Sequence, residues 1–174
     1  MNTIECINTR RSVRQFKDDA VPDNIIDDII NAGICAPSAG NTQEWHFVVV
    51  KKPEYKKKVA EAAFGQEFVE KAPVLIVVCA DLDKIEQAYG ERGISLYAFQ
   101  DTAAAIQNML LAAWENGIGS CWVGAFNEAK LKNVLVLPTN VKPVAILPMG
   151  YPEIEAKMPV RRSIDEVYHE ERWE

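Results

Sequence analysis

Arg10, Arg11, Ser12 and Arg14 put three guanidinium groups and a hydroxyl within five positions of a 174-residue chain whose formal net charge is -6. Guanidinium forks and a hydroxyl are the donors that an anionic phosphate needs. Arg10, Ser12 and Arg14 fall at i, i+2 and i+4 where a short N-terminal helix should give way to extended chain, so alternate side chains could converge on one side. The same cations would also suit the solvated C-terminus of that helix, where the dipole favours positive charge. Residue types alone leave both readings open.

Two further stretches carry candidate groups. In APSAGNTQEWHF, Ala36 to Phe47, Pro37 blocks a preceding helix, and Ser38, Asn41 and Gln43 present donors and acceptors on a loop fixed by Trp45 entering a strand. An ordinary helix-to-strand connection would use the same turn residues. In NGIGSCWVGAF, Gly117, Gly119 and Gly124 bracket Cys121, Trp122 and Val123, a stretch that reads as a strand. Glycines let a backbone approach a planar ligand and leave N–H groups free to donate, although a glycine turn before a core strand is equally served.

No protein-borne catalytic device accompanies these groups. GxGxxG, Walker A, GxSxG and HExxH motifs are absent from the sequence. His46 alternates with core residues in a strand and His169 lies in the tail, so neither a Ser/His/Asp set nor a Cys/His pair forms. If the protein is an enzyme, a cofactor carries the chemistry. Cys6, Cys35, Cys79 and Cys121 are widely spaced with no CxxC, which predicts reduced, mostly buried thiols and no structural zinc. The acidic balance argues against nucleic acid, and PVLIVVCA is far too short to span a bilayer, so the expected setting is the cytoplasm.

The elements that must hold these residues follow from hydrophobic periodicity. Residues 2 to 11 suit a short helix with Thr3 as N-cap. Pro22 suits a first helical turn, and Ile25, Ile26, Ile29, Ile30 and Ile34 form a helix face ending near Cys35. WHFVVV and VLIVVCA read as interior strands, with the charged helix PEYKKKVAEAAF between them. Asp81 to Gly93 is polar and has little pattern. A long helix then runs from Ile94 to Asn116-Gly117, apolar on most of its circumference. GSCWVGAF, NEAKLKNVL and KPVAILPMG follow as strand, short helix and strand, and residues 151 to 174 form a tail without a partner of its own. The expected class is α+β in three layers, in one domain.

Four motifs in order, RRSVRQFKDDAVPDNIIDDIINAGICAPSAGNTQEWHFVVV, GIGSCWVGAF, ILPMGYP and RRSIDEV, resemble the flavin-dependent nitroreductase family from about Ile4 to Val167. That resemblance implies a mixed or antiparallel sheet flanked by helices, in an intertwined homodimer with an exchanged C-terminal tail. It implies non-covalent FMN at the subunit interface and NAD(P)H as electron donor. Two electrons would pass through flavin N5 to a nitroaromatic, quinone or similar flat acceptor in ping-pong fashion. Arg10, Ser12 and Arg161 would hold the phosphate, with Arg11 and Arg162 beside them, and Arg14 would lie by the pyrimidine edge. Pro37, Ser38, Ala39, Asn41 and Gln43 would come from the other subunit. Cys121, Trp122, Val123 and Gly124 would pass beside the ring, the Gly124 N–H aimed at N5. A reductive dehalogenase, a flavin-fragmenting enzyme or a flavin storage protein would share the same site.

Overall fold

The computed structural model describes residues 1–173. Its centre is a four-stranded antiparallel sheet in the order β1-β2-β4-β3, formed by β1 (Trp45–Val50), β2 (Val74–Asp81), β3 (Gly119–Ser120) and β4 (Val141–Gly150). Because side chains alternate across a strand, β2 serves two layers at once. Leu75, Val77 and Cys79 face one cluster, with Val59, Ala60 and Val69 of helices α3 (Pro53–Ala62) and α4 (Glu67–Lys71) and Leu131 of a later helix, Glu128–Leu135. Val74, Ile76 and Val78 face the other, with Ile26 and Ile29 of α2 (Asp23–Ile34) and with Ile106, Met109 and Leu110 of the long helix Ala98–Glu115. Each such fully buried aliphatic side chain stabilises the fold by about 1.5–3 kcal/mol. The three layers expected from the sequence are therefore present. Among the described residues, no helix is long and apolar enough to cross a membrane.

Local rules explain most boundaries. The first helix, α1 (Thr3–Thr9), is capped by Asn2, whose side chain accepts from Glu5 N–H at 2.9 Å, one position earlier than the expected Thr3. Asp81 caps a helix, α5 (Leu82–Arg92), over the segment that shows no clear sequence pattern, its carboxylate accepting from Lys84 N–H. That helix breaks its own line at Gly90, with φ at 54°. The long helix starts with a π-helical turn, Gly93–Tyr97, and runs as α6 from Ala98 to Glu115. It buries one stripe, Ala98, Asp101, Thr102, Ala105, Ile106, Met109, Leu110 and Ala113, a narrower face than its composition implies.

The expected strand GSCWVGAF is ordered as a regular strand only at Gly119–Ser120. Cys121 N–H donates to Pro148 O, and Val123 and Ile146 exchange both backbone bonds, so the segment does follow β4. Proline has no N–H to return, which removes half of the pair at Cys121 and interrupts the ladder. Past the sheet, α7 (Glu128–Leu135) is capped by Asn127, and beyond Gly150 the tail pairs with Phe16 through Pro152 and forms a short 3-10 turn, Ile164–Glu166. The tail leaves large apolar side chains in solvent, Val160 at 98% and Trp173 at 87% exposure.

Candidate flavin site

The basic cluster divides at the end of α1. Arg11 turns back on the helix, its Nη1 donating to the carbonyls of Asn8 at 2.8 Å and Arg10 at 2.9 Å. It therefore takes the helix-terminus role that the sequence left open. Arg10 and Arg14 do not. Among the described residues, the ion pairs are made by lysines and the N-terminal amine, none by Arg10, Arg14, Arg161 or Arg162. Arg10 is half-buried. Burial, then the charge of Arg161, then that of Arg11 hold its pKa below the ordinary guanidinium value, against a smaller pull from Cys121. The tail thus returns Arg161 to Arg10 within the same chain, while Arg162 is exposed beside it. Clustered cations repel one another, and an anion bound among them relieves that repulsion.

Val13 anchors this stretch to the sheet edge. Its N–H donates to Ser120 O at 2.9 Å, in a parallel bridge between Ser12 and Ser120. The approach is so close that a Cβ on Gly119 would stand 2.7 Å from Val13 Cγ2. Beyond the bridge the edge is open. Cys121 and Val123 turn their N–H groups toward β4, so those of Trp122 and Gly124 point the other way. No described residue accepts from the Gly124 N–H, and a Cβ there would meet nothing within 4 Å. Arg14 leans over Phe68, its Cζ 5.7 Å from the ring centroid. Burial raises the pKa of the Cys121 thiol, and Arg14 and Arg10 pull it only partly back, so the thiol is neutral at ordinary pH.

The loop after α2 is stiffly built. Ser38 Oγ accepts from Gln43 N–H at 3.0 Å, Gln43 Nε2 donates to Asn41 Oδ1 at 3.1 Å, and Asp101 Oδ2 on α6 accepts from Ala39 N–H at 2.8 Å. Three of its residues, Gly40, Asn41 and Gln43, have left-handed backbone, with φ of 54°, 57° and 50°. At Gln43 that conformation is strained, and surrounding bonds must maintain it. Lys84 of α5 contributes one of them, its Nζ donating to Gln43 O at 3.1 Å. Pro37 and Asn41 are exposed at the rim. Glu44, Asp101 and Lys84 escaped the sequence reading, and the one available signal was a lone carboxylate, Glu44, placed directly before an apolar strand.

Sheet topology separates the two groups. The loop feeds β1 and the arginine stretch pairs with the outer side of β3, so the two lie beyond opposite edges, four strand spacings or roughly 19 Å apart. The register also puts Ser120 level with Val74 and Trp45 level with Ala80, six residues along β2, or roughly 20 Å. One chain thus holds the arginine cluster with the Trp122–Gly124 edge at one place and the Ser38–Gln43 loop at another.

The sequence matches the nitroreductase family over residues 7–71 and 62–151. The chain belongs to the nitroreductase family. A relative provisionally named NADH dehydrogenase/NAD(P)H nitroreductase, from Methanothermobacter thermautotrophicus, is 35% identical over 99% of this chain and 88% of its own. The Bacillus subtilis FMN reductase (NADPH) is 33% identical over 97% of this chain and 73% of its own. Among solved structures, the NADPH:FMN oxidoreductase of Vibrio harveyi complexed with NAD+ superposes with a TM-score of 0.91 at 28% identity, covering all of this chain and 79% of that one. The sheet and its flanking helices are those of the nitroreductase fold.

Proposed function

We propose that the protein is a homodimeric FMN-dependent oxidoreductase that draws electrons from NAD(P)H and reduces a nitroaromatic, quinone or similar flat acceptor. The observation that carries this reading is the set of cations, Arg10, Arg14 and Arg161, assembled without a carboxylate partner beside an open backbone edge. A phosphate-bearing planar ligand fits that donor set: guanidinium groups for the phosphate, free N–H groups for the ring. Bound FMN would supply two-electron hydride chemistry at N5, accepting from the nicotinamide and passing to the acceptor in a ping-pong sequence.

The chain's own residues bind and orient. Arg10, Ser12 and Arg161 hold the phosphate, with Arg162 at the rim, and Arg14 sets positive charge toward the ring. The Gly124 N–H gives an unclaimed hydrogen bond at the edge facing away from β4. Pro37, Ser38, Ala39, Asn41 and Gln43 approach from the second copy, a reading that their placement at the opposite sheet edge from the arginines supports. The exposed apolar tail, Val160 above all, lies on that second copy. The neutral Cys121 thiol takes no nucleophilic part.

The test is the spectrum of the purified protein with the released flavin identified, followed by initial rates with NADH and NADPH at several fixed acceptor concentrations. FMN and parallel double-reciprocal lines are expected. Intersecting lines would rule out the ping-pong order, and a bound flavin that neither nicotinamide bleaches would make the protein a flavin carrier.

A further inference from the structure

Glu44 joins the loop to β1 and is fully buried. Its carbonyl accepts from Asp81 N–H at 2.7 Å, so the backbone there is tied to the end of β2. Of its carboxyl oxygens, Oε2 accepts from Thr42 Oγ1 at 2.7 Å, whereas Oε1 has no donor among the described residues. A buried acceptor left without a donor has lost its hydration with nothing in return, at a cost that is greater if it is charged. The group within hydrogen-bonding reach is a second carboxyl, Asp101, itself nearly buried and holding Ala39 N–H. Two ionised carboxylates cannot satisfy one another, because both only accept and their charges repel. A single proton removes both difficulties.

We propose that Glu44 and Asp101 share one proton, and that the resulting O–H···O bond latches the Ser38–Gln43 loop in the shape it presents to the cofactor. The bond closes a ring across the base of the loop. Ala39 N–H donates to Asp101, Glu44 donates to Asp101, and Thr42 Oγ1, 2.9 Å from Ala39 O, donates to Glu44. The other titratable groups on the elements packed here are engaged or turned away. Lys84 holds Gln43 O, Asp81 accepts from Lys84 N–H and Asn140, the Tyr89 hydroxyl abuts Gly40, Tyr97 accepts from Arg92, and His46 is exposed on β1. Burial, opposed by Thr42 and reinforced by Asp101, keeps Glu44 above the usual carboxylate range.

The pair positions the loop and touches neither substrate nor reacting atoms; only its link to FMN rests on the proposed function. Glu44 has a folded-state pKa above its unfolded value, so its contribution to stability is complete below the usual carboxylate range. That contribution is lost as pH rises through the folded value. Glu44→Gln mimics the protonated acid, since its amide can donate to Asp101 and accept from Thr42. Apo-protein unfolding in urea should show wild type losing stability relative to Glu44→Gln as pH rises above the usual carboxylate range. Over the same rise in pH the FMN Kd of wild type should rise roughly two- to tenfold relative to that of Glu44→Gln. Parallel pH curves for the two proteins would overturn the latch. If no variant binds FMN, the cofactor reading fails and the apo unfolding curves still decide the latch. If Glu44→Gln does not fold, carboxyl-carbon NMR of wild type decides it. One glutamate titrating well above the rest supports the shared proton, and all glutamates titrating in the usual range refute it.

Discussion

Removing Arg10 should separate two roles a half-buried arginine can have. Arg10→Ala deletes a half-buried guanidinium that has no carboxylate partner and stands near Arg161 and Arg11. In the cofactor-free protein nothing is orphaned by its loss, and repulsion within the cluster falls. Apo stability should therefore stay within about 0.5 kcal/mol of wild type, or rise. In the FMN complex a hydrogen bond to a charged phosphate is lost, worth about 1.5–3 kcal/mol. At about 1.4 kcal/mol per tenfold, FMN should bind roughly ten- to a hundredfold more weakly. The weakening should shrink as salt screens the phosphate. Flavin fluorescence titration reads the affinity, and urea unfolding of apo-protein reads the stability. Unchanged FMN affinity together with an apo loss above about 1 kcal/mol would refute the reasoning, because Arg10 would then be a structural residue.

Arg14→Ala should instead act on the potential of the bound flavin: on the proposed placement of Arg14 beside the ring, a dye-equilibrated titration should read a midpoint lower by roughly 30–65 mV, and the Arg10→Ala value nearly unchanged. Gly119→Ala drives a methyl to 2.7 Å from Val13 Cγ2 and should destabilise the protein by about 1–3 kcal/mol in urea unfolding, weakening FMN binding with it as Ser12 is displaced. Of the four free thiols only Cys35 is exposed, while burial pushes Cys79 up to about 12, so a thiol reagent should label one cysteine rapidly and reach the other three only on unfolding.

The sequence carried the skeleton because its punctuation is strong. Pro22 and Pro37 bracket α2, the unbroken apolar run of β2 allows no other reading, and Asn116-Gly117 ends α6. It failed where a distant partner decides. β3 stops early because Pro148, far along the chain, lacks an N–H, which cannot be read from GSCWVGAF itself. α5 was hidden by its polar composition and its break at Gly90, although Asp81 three residues before Lys84 was a readable cap. The arginines and the loop residues were visible as donors. Their lodging at opposite sheet edges required the strand order, and Glu44 became meaningful only once α6 had brought Asp101 against it.

The opposite-edge placement also has a genetic consequence. In the two-copy site proposed above, each site takes its arginines from one polypeptide and its loop from the other. A copy crippled in the loop, paired with a copy crippled at Arg10, would form a hybrid with one doubly damaged site and one wholly intact site. Two defective alleles co-expressed in one cell would then rescue each other, to about a quarter of wild-type activity when random pairing makes half of the dimers hybrid. Two alleles damaged on the same edge would never do so.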